Sequence, residues 1–443
     1  MTDSNSIDGY VSDTLYPSRL NQALQPPWVD WHLKRRGFLP PRKDSEPFKI
    51  VDLGCGDGYG LVIAAASHPD GHFVGIDANP EHIARGQKLA RDAGITNISL
   101  HCARFGDASD LATGDANYVT ADGVLSWVSK ENRSAVLKLG TKWLKQGGAF
   151  CLSYNCYPGW IPLTGFQKLV YALARDLTGS PEERFITAAR QIHSSKILST
   201  RVWDVLKPML GRHPPAYFAH EYLNEHWEPS WSSDVVEAMA AEGMDFIGRL
   251  QETQIRKDFD LTAQQIDLIS RYPDLASREL AHDQLIGNNL RMDIYVKPPL
   301  QNLEAKSAVA TVLDQTWVLS IPPDKLEPYQ ANKEARELHF DDEVTQAIVE
   351  KLSNGPARLS EISGIPANSL IDAIDALHHA HYAIPVGPAQ SDSSAIRVNR
   401  DLDKMGWPID GLASAFGAFS FDRETITMRA PNALRRHGIA NFD

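Results

Sequence analysis

Val51-Asp52-Leu53-Gly54-Cys55-Gly56-Asp57-Gly58-Tyr59-Gly60 is the stretch from which the rest of the chain is read. The apolar run Phe48 to Leu53 has strand character and breaks at Gly54, Gly56 and Gly58, where the backbone is free to turn and to approach a ligand that a Cβ would strike. A helix beginning just beyond would turn its positive N-terminus toward that ligand. Asp77 follows 19 residues after Gly58, at the end of a second run, Phe73-Val74-Gly75-Ile76, where it can accept bonds from both hydroxyls of a ribose. Together the two features point to a nucleoside-bearing ligand. A nicotinamide dinucleotide fits less well, since its fingerprint wants glycine at the first, third and sixth places and the sixth counted from Gly54 is Tyr59. A tight turn with no ligand is the plain alternative, and Asp77 counts against it.

Strand and helix continue to alternate outward from this loop. Pro80 to Ala93 reads as a helix ended by Gly94, followed by strands at Ile98 to His101 and Asn117 to Ala121. Val136, Leu137, Gly140, Trp143 and Leu144 form one helical stripe before a Gln146-Gly147-Gly148 turn and a strand from Ala149 to Tyr154. This repetition predicts an α/β fold, a doubly wound Rossmann-like domain whose ligands sit beyond the carboxyl ends of its strands.

From Pro162 to about Ser270 the helical period dominates, and Ser180-Pro181-Glu182-Glu183 has the form of a capping box. Arg291 to Val296 reads as a strand, and Pro298-Pro299 marks a boundary. In the last third, Val344, Ile348 and Leu352, then Leu359 to Ile362, then Leu370, Ile371, Ile374 and Leu377 suggest a winged-helix-like α+β module. Three units follow: a ligand-binding domain with an N-terminal cap over 1–160, a mainly helical domain over 161–300, and the winged-helix-like domain over 301–443.

The 443 residues, 43% hydrophobic and 23% charged, suit an ordinary globular chain with more than one core. A net charge of -12 repels phosphate backbones, so nucleic acid is not expected as a partner. Residues 331–390 hold four Lys or Arg against nine Asp or Glu, which argues against DNA for the last module too. Cys55, Cys102, Cys151 and Cys156 have neither zinc-site nor disulfide-framework spacing, and no apolar leader or membrane-length stretch occurs. A cytoplasmic protein without a membrane partner is expected. No metal is assigned: His220-Glu221 lacks a second histidine, position 224 being Asn, and the cluster His378, His379 and His381 suits a helix C-terminus.

The glycine loop Gly54-x-Gly56-x-Gly58, the acidic second strand end and the Leu144-Lys145-Gln146-Gly147-Gly148 turn together resemble the class I S-adenosylmethionine-dependent methyltransferases over about residues 48–160. The resemblance implies S-adenosyl-L-methionine as cofactor and S-adenosyl-L-homocysteine as product. It puts Gly54, Cys55, Gly56, Asp57 and Gly58 around the methionine moiety and Asp77 at the ribose, with Tyr16, Asp52, Ala78, Arg104, Phe105, Asp122 and Gly123 completing the cofactor contacts. Many relatives carry an acid for the adenine amino group after the third strand. Here that place reads Ala103-Arg104-Phe105, so either Asp107 substitutes or the contact is missing.

Asp122-Gly123-Val124-Leu125-Ser126-Trp127-Val128 and Ser153-Tyr154-Asn155-Cys156-Tyr157-Pro158-Gly159-Trp160 are similar to the bacterial methyltransferases with a methyltransferase regulatory domain, including protein-lysine methyltransferases of rickettsiae. Tyr10, Tyr16-Pro17 and Tyr217-Phe218-Ala219-His220-Glu221-Tyr222-Leu223 share this likeness, whereas the family's usual histidine is replaced by Asp122. The acceptor implied is an amine on a protein or a small molecule, lysine first. Trp127, Tyr154, Tyr157 and Trp160 would line an aromatic pocket, Tyr154 or Asn155 would orient the nitrogen, and Asp122 would stand beside it. Packing of these aromatics against the helical domain is the alternative for each of them. A small-molecule N-, O- or S-methyltransferase and a non-catalytic cofactor-binding scaffold remain as other functions, and a homodimer is compatible with the sequence.

Overall fold

The computed structural model describes residues 6–12, 16–44, 46–111, 114–210, 213–250, 256–390, 393–404, 407 and 411–420. A short hairpin of β1 (Ser6–Ile7) and β2 (Tyr10–Val11) precedes α1 (Pro26–Arg35), and residues 16–21 between them form an irregular strap. Then β3 (Phe48–Leu53), α2 (Tyr59–Ser67), β4 (Gly71–Asp77), α3 (Pro80–Asp92), β5 (Ile98–Cys102), β6 (Ala116–Asp122), α4 (Lys130–Trp143) and β7 (Leu144–Asn155) alternate as the sequence predicts. The Gln146-Gly147-Gly148 turn departs from expectation by falling inside β7, where Gly147 takes φ +74° and the register with β6 shifts between Ala116 and Tyr118.

A helical stretch follows: α5 (Thr164–Ala174), α6 (Pro181–Ser195), α7 (Thr200–Leu210), α8 (Pro215–Tyr222) and α9 (Ser232–Ala241). Both bonds of the Ser180–Glu183 capping box form at the start of α6. The chain then returns to the sheet through β8 (Asp245–Arg249), α10 (Ala263–Ser270), α11 (Leu275–Ile286) and β9 (Leu290–Val296). The seven strands lie in the order β5-β4-β3-β6-β7-β9-β8. Those from β3 to β7 are parallel, while β9 runs antiparallel to β7 and β8 antiparallel to β9. A boundary at residue 160 therefore cuts this sheet, because its last two strands come from the segment expected to be mainly helical.

That return is held by a buried ionic network. Arg291 pairs with Glu279, Asp283 and Asp293, and Arg249 with Glu279 and Asp283, all nearly water-free. Charges at this depth persist only when fully paired, and removing one partner costs about 3–5 kcal/mol. Beyond β9 come α12 (Ala305–Leu313) and β10 (Thr316–Leu319), then α13 (Glu343–Ser353), β11 (Ala357–Arg358), α14 (Ala367–His379) and β12 (Ala383–Val386). These strands form a three-stranded antiparallel sheet.

His378 and His379 do lie at the end of α14, but burial pushes the His378 ring down to about 3, so it packs as a neutral group rather than answering the helix dipole. α1 joins the regions: the Trp28 indole N–H donates to the Leu250 carbonyl at 2.7 Å, Trp31 packs edge-on against Trp317, and Arg35 clasps Asp375.

Candidate functional site

The strand order reverses between β3 and β6, and in such sheets a crevice opens outside the carboxyl ends of the two diverging strands. Here it is a cavity of about 240 Å³ whose walls come from the loop after β3, the ends of β4 and β6, and the strap from Tyr16 to Gln25. The loop is shaped by left-handed glycines, with φ +80° at Gly54 and +56° at Gly56. A Cβ at Gly54 would lie 2.5 Å from Val124 Cγ2, whereas at Gly56 it would meet nothing within 4 Å and so project into free space. Gly58 caps α2 with φ +66° and donates its N–H to the Cys55 carbonyl, bending the loop without lining the cavity.

Acids ring this cavity. Asp77 Oδ2 accepts the Gly56 N–H at 3.0 Å and keeps a further lone pair, while Oδ1 accepts the Asn79 N–H at 2.8 Å and lies 3.4 Å from His82 Nδ1. Asp57 takes the Ser18 hydroxyl at 2.5 Å and lies 3.5 Å from Arg85. Asp122 Oδ2 receives Arg19 at 3.3 Å and Asn21 at 3.1 Å, while Oδ1 receives the Ser153 hydroxyl at 2.5 Å. Asp52 retains some contact with cavity space, yet the protein encloses it, and that burial raises its pKa to about 7 against the Thr120 hydroxyl bonded to it at 2.6 Å; Asp122 and Asp77 raise it further. Arg104 and Asp8 pair at the far end beside Phe105 and Ala78. Asp107 is not among the lining groups, and the acid present at that end is Asp8, from the hairpin.

The cavity thus brings together Tyr16, Asp52, Gly54, Cys55, Gly56, Asp57, Asp77, Ala78, Arg104, Phe105, Asp122, Gly123 and Trp127. It does not include Tyr154, Asn155, Tyr157 or Trp160. Successive residues of a strand face opposite sides, so with Ser153 turned to Asp122 the Tyr154 ring points away. Its hydroxyl donates to Asp293 at 2.7 Å inside the ionic network, and burial pushes its pKa well up. Tyr157 packs on Trp231 with centroids 4.9 Å apart, and the Trp160 indole donates to the Asn289 carbonyl. Asn155 sits behind the wall, its N–H donated to Ser126 Oγ. The packing alternative is therefore the observed one for three of the four aromatics. Sequence reasoning missed Asp8, Ser18, Arg19 and Asn21, and the Tyr16-Pro17 likeness was the nearest signal to them.

The site fits S-adenosylmethionine on its own terms: open space before Gly56, an acid with a spare lone pair at the second strand end, and further acids to face a cationic ligand. Residues 44–198 match a family described as methyltransferase domain, and residues 214–297 match one described as predicted methyltransferase regulatory domain. An uncharacterized protein of Rickettsia prowazekii is 30% identical over 224 residues, 47% of this chain and 85% of that protein. One of Synechocystis is 25% identical over 390 residues, 85% of this chain and 76% of its own. PKMT2 from Rickettsia typhi, solved in complex with AdoHcy, superposes with a TM-score of 0.66 at 20% identity, over 87% of this chain and 82% of that one.

The fold, the glycine loop and these matches define an S-adenosylmethionine-dependent methyltransferase of class I. Within that class the chain belongs to the methyltransferases that carry a methyltransferase regulatory domain. Among the described residues, no helix is long and apolar enough to cross a membrane.

Proposed function

We propose that this methyltransferase acts on amines, protein lysine side chains first, at the end of the cavity where Asp122, Tyr16 and Trp127 meet. The observation that carries the reading is the company of a carboxylate and two aromatic faces around that end, beside the Arg19–Asp122 pair. Ring faces attract methylammonium by about 0.5–2 kcal/mol each, and the acid favours a cationic group over a neutral phenol or thiol. The likeness to rickettsial protein-lysine methyltransferases supports the same acceptor. When bound, the cofactor supplies a methyl group on a sulfonium, so little is asked of the protein beyond alignment and removal of water.

In this reading the loop residues Gly54 to Asp57 hold the methionine part and Asp77 the sugar. Asp52 faces the amino group, and Arg104 and Phe105 close around the base. Trp127 and Tyr16 desolvate the acceptor amine, whose ordinary pKa of about 10.4 otherwise keeps it protonated. The test is to incubate the protein with methyl-labelled S-adenosylmethionine and a bacterial lysate, then separate protein from small molecules and hydrolyse it. Label in methylated lysine is the expected result; label confined to the small-molecule fraction, or on oxygen or sulfur, contradicts it.

A further inference from the structure

We propose that Asp8, in the turn of the β1–β2 hairpin, is the residue that selects adenine: its carboxylate accepts the amino group of the base at the Arg104 end of the cavity. This deepens the reading above and rests on its placement of the base at that end. After β5 the chain runs Ala103-Arg104-Phe105, with no carboxylate, and the next acid, Asp107, does not line the cavity. Asp8 does line it, and its side chain is 32% exposed, so a ligand there can reach it. Its Oδ1 accepts from the Arg104 guanidinium, and Arg104 lines the same end as Phe105 and Ala78. A carboxylate accepts through both oxygens and a guanidinium carries several N–H groups, so the pair still has an acceptor and donors to present side by side. Adenine has the matching edge, an amino donor next to a ring-nitrogen acceptor. Hypoxanthine, with a carbonyl in place of the amino group, does not, because its oxygen would meet the Asp8 carboxylate.

The hairpin holds the acid in this place through its own turn and through the regulatory segment. Asp8 and Gly9 form a two-residue turn between Ile7 and Tyr10, with φ +52° and +81°. That left-handed pair is what the tightest hairpins require, and Asp-Gly satisfies it at little cost. The Gly9 carbonyl accepts the Glu225 N–H at 2.9 Å, and the Val11 N–H donates to the buried Asn224 side chain at 2.9 Å. A Cβ at Gly9 would lie 3.0 Å from both Glu225 Oε2 and His226 Cδ2, so the loop after α8 closes on the turn. Tyr10 stacks on His220 with centroids 5.5 Å apart. The base-selecting group thus comes from outside the seven-stranded sheet, on a hairpin whose position the regulatory segment helps to set.

The test compares S-adenosylhomocysteine with S-inosylhomocysteine, in which a carbonyl replaces the amino group of the base and the sugar and amino-acid parts are the same. Calorimetry on the full chain should show the adenine ligand bound about ten- to a hundred-fold more tightly. In Asp8→Asn, which tolerates the left-handed turn and whose amide can either accept or donate, that preference should fall toward unity. Asp77 and the loop residues meet both ligands alike and cancel in the ratio. Asp107→Ala should keep the wild-type preference, and Arg104→Ala should lower affinity with adenine still preferred, which separates Asp8 from the nearby acid and from its own partner. No preference in the wild-type chain, a preference that survives Asp8→Asn, or one lost in Asp107→Ala overturns the proposal. The wild-type comparison decides even where a variant does not fold. Failure of the base placement has a different signature: Asp8→Asn and Arg104→Ala then both leave the affinity for each ligand at its wild-type value.

Discussion

The Asp77 carboxylate accepts the Gly56 N–H at 3.0 Å, so the acid ending the second strand of the core is bonded to the loop ending the first. One side chain thereby shapes the glycine loop, and in the proposed reading it also receives the sugar. Asp77→Ala should weaken S-adenosylhomocysteine binding by about 1–3 kcal/mol through the lost charge-assisted bonds. Calorimetry checks it, and Asp77→Asn, which keeps an acceptor oxygen, should recover part of the loss.

Gly56→Val separates space from strain. Nothing in the protein lies within 4 Å of a Cβ there, while φ +56° costs a non-glycine residue roughly 1–2 kcal/mol. Thermal unfolding should therefore show a modest loss, and cofactor binding to the folded variant should be abolished. Unchanged affinity would remove the loop from the ligand's path.

Asp52 couples binding to pH. Its pKa of about 7 lies above the ordinary carboxyl value because burial and the neighbouring acids disfavour its charge. A cationic amino group brought beside it lowers that value, so binding releases a proton near neutrality and affinity falls as pH drops through about 7. Calorimetry in buffers of differing ionisation enthalpy measures this release. Asp52→Asn should abolish it.

Tyr154→Phe should act on stability. Its hydroxyl bonds a buried carboxylate 139 residues away in sequence, and losing that bond costs about 1–3 kcal/mol. Denaturant melts should register the loss while cofactor affinity and turnover of the surviving fold stay near wild type. A variant with normal stability and slow turnover would return Tyr154 to the acceptor site.

Ser18→Ala should loosen the strap over the cavity by removing its 2.5 Å bond to Asp57. About a ten-fold faster cofactor dissociation is expected in stopped-flow, in keeping with the loss of one charge-assisted bond.

The parts of this fold that were legible from the chain are those where local signals agree. The run into Gly54, the run Phe73 to Ile76 that ends at Asp77 and the Ser180 capping box each depend on neighbours within a turn or two, and each forms as a strand or cap. Long-range pairings were not legible. Nothing near Arg291 announces that its strand runs antiparallel beside β7, or that its charge gathers Tyr154 into an ionic cluster. Strand alternation sends Tyr154 away from Ser153, yet which face meets the ligand is decided by Asp122 on the next strand. The strap from Ser18 to Asn21 is irregular backbone, with no periodicity to mark it. Its role appears only through partners some 39 and 101 residues further along.

A crystal structure with S-adenosylhomocysteine bound tests the central claim most directly. The ribose hydroxyls should lie on Asp77, the methionine part against Gly54 to Asp57, and the sulfur toward Asp122 and Trp127. A nucleoside found outside this cavity, or turned so that its sulfur faces Arg104, would contradict the account.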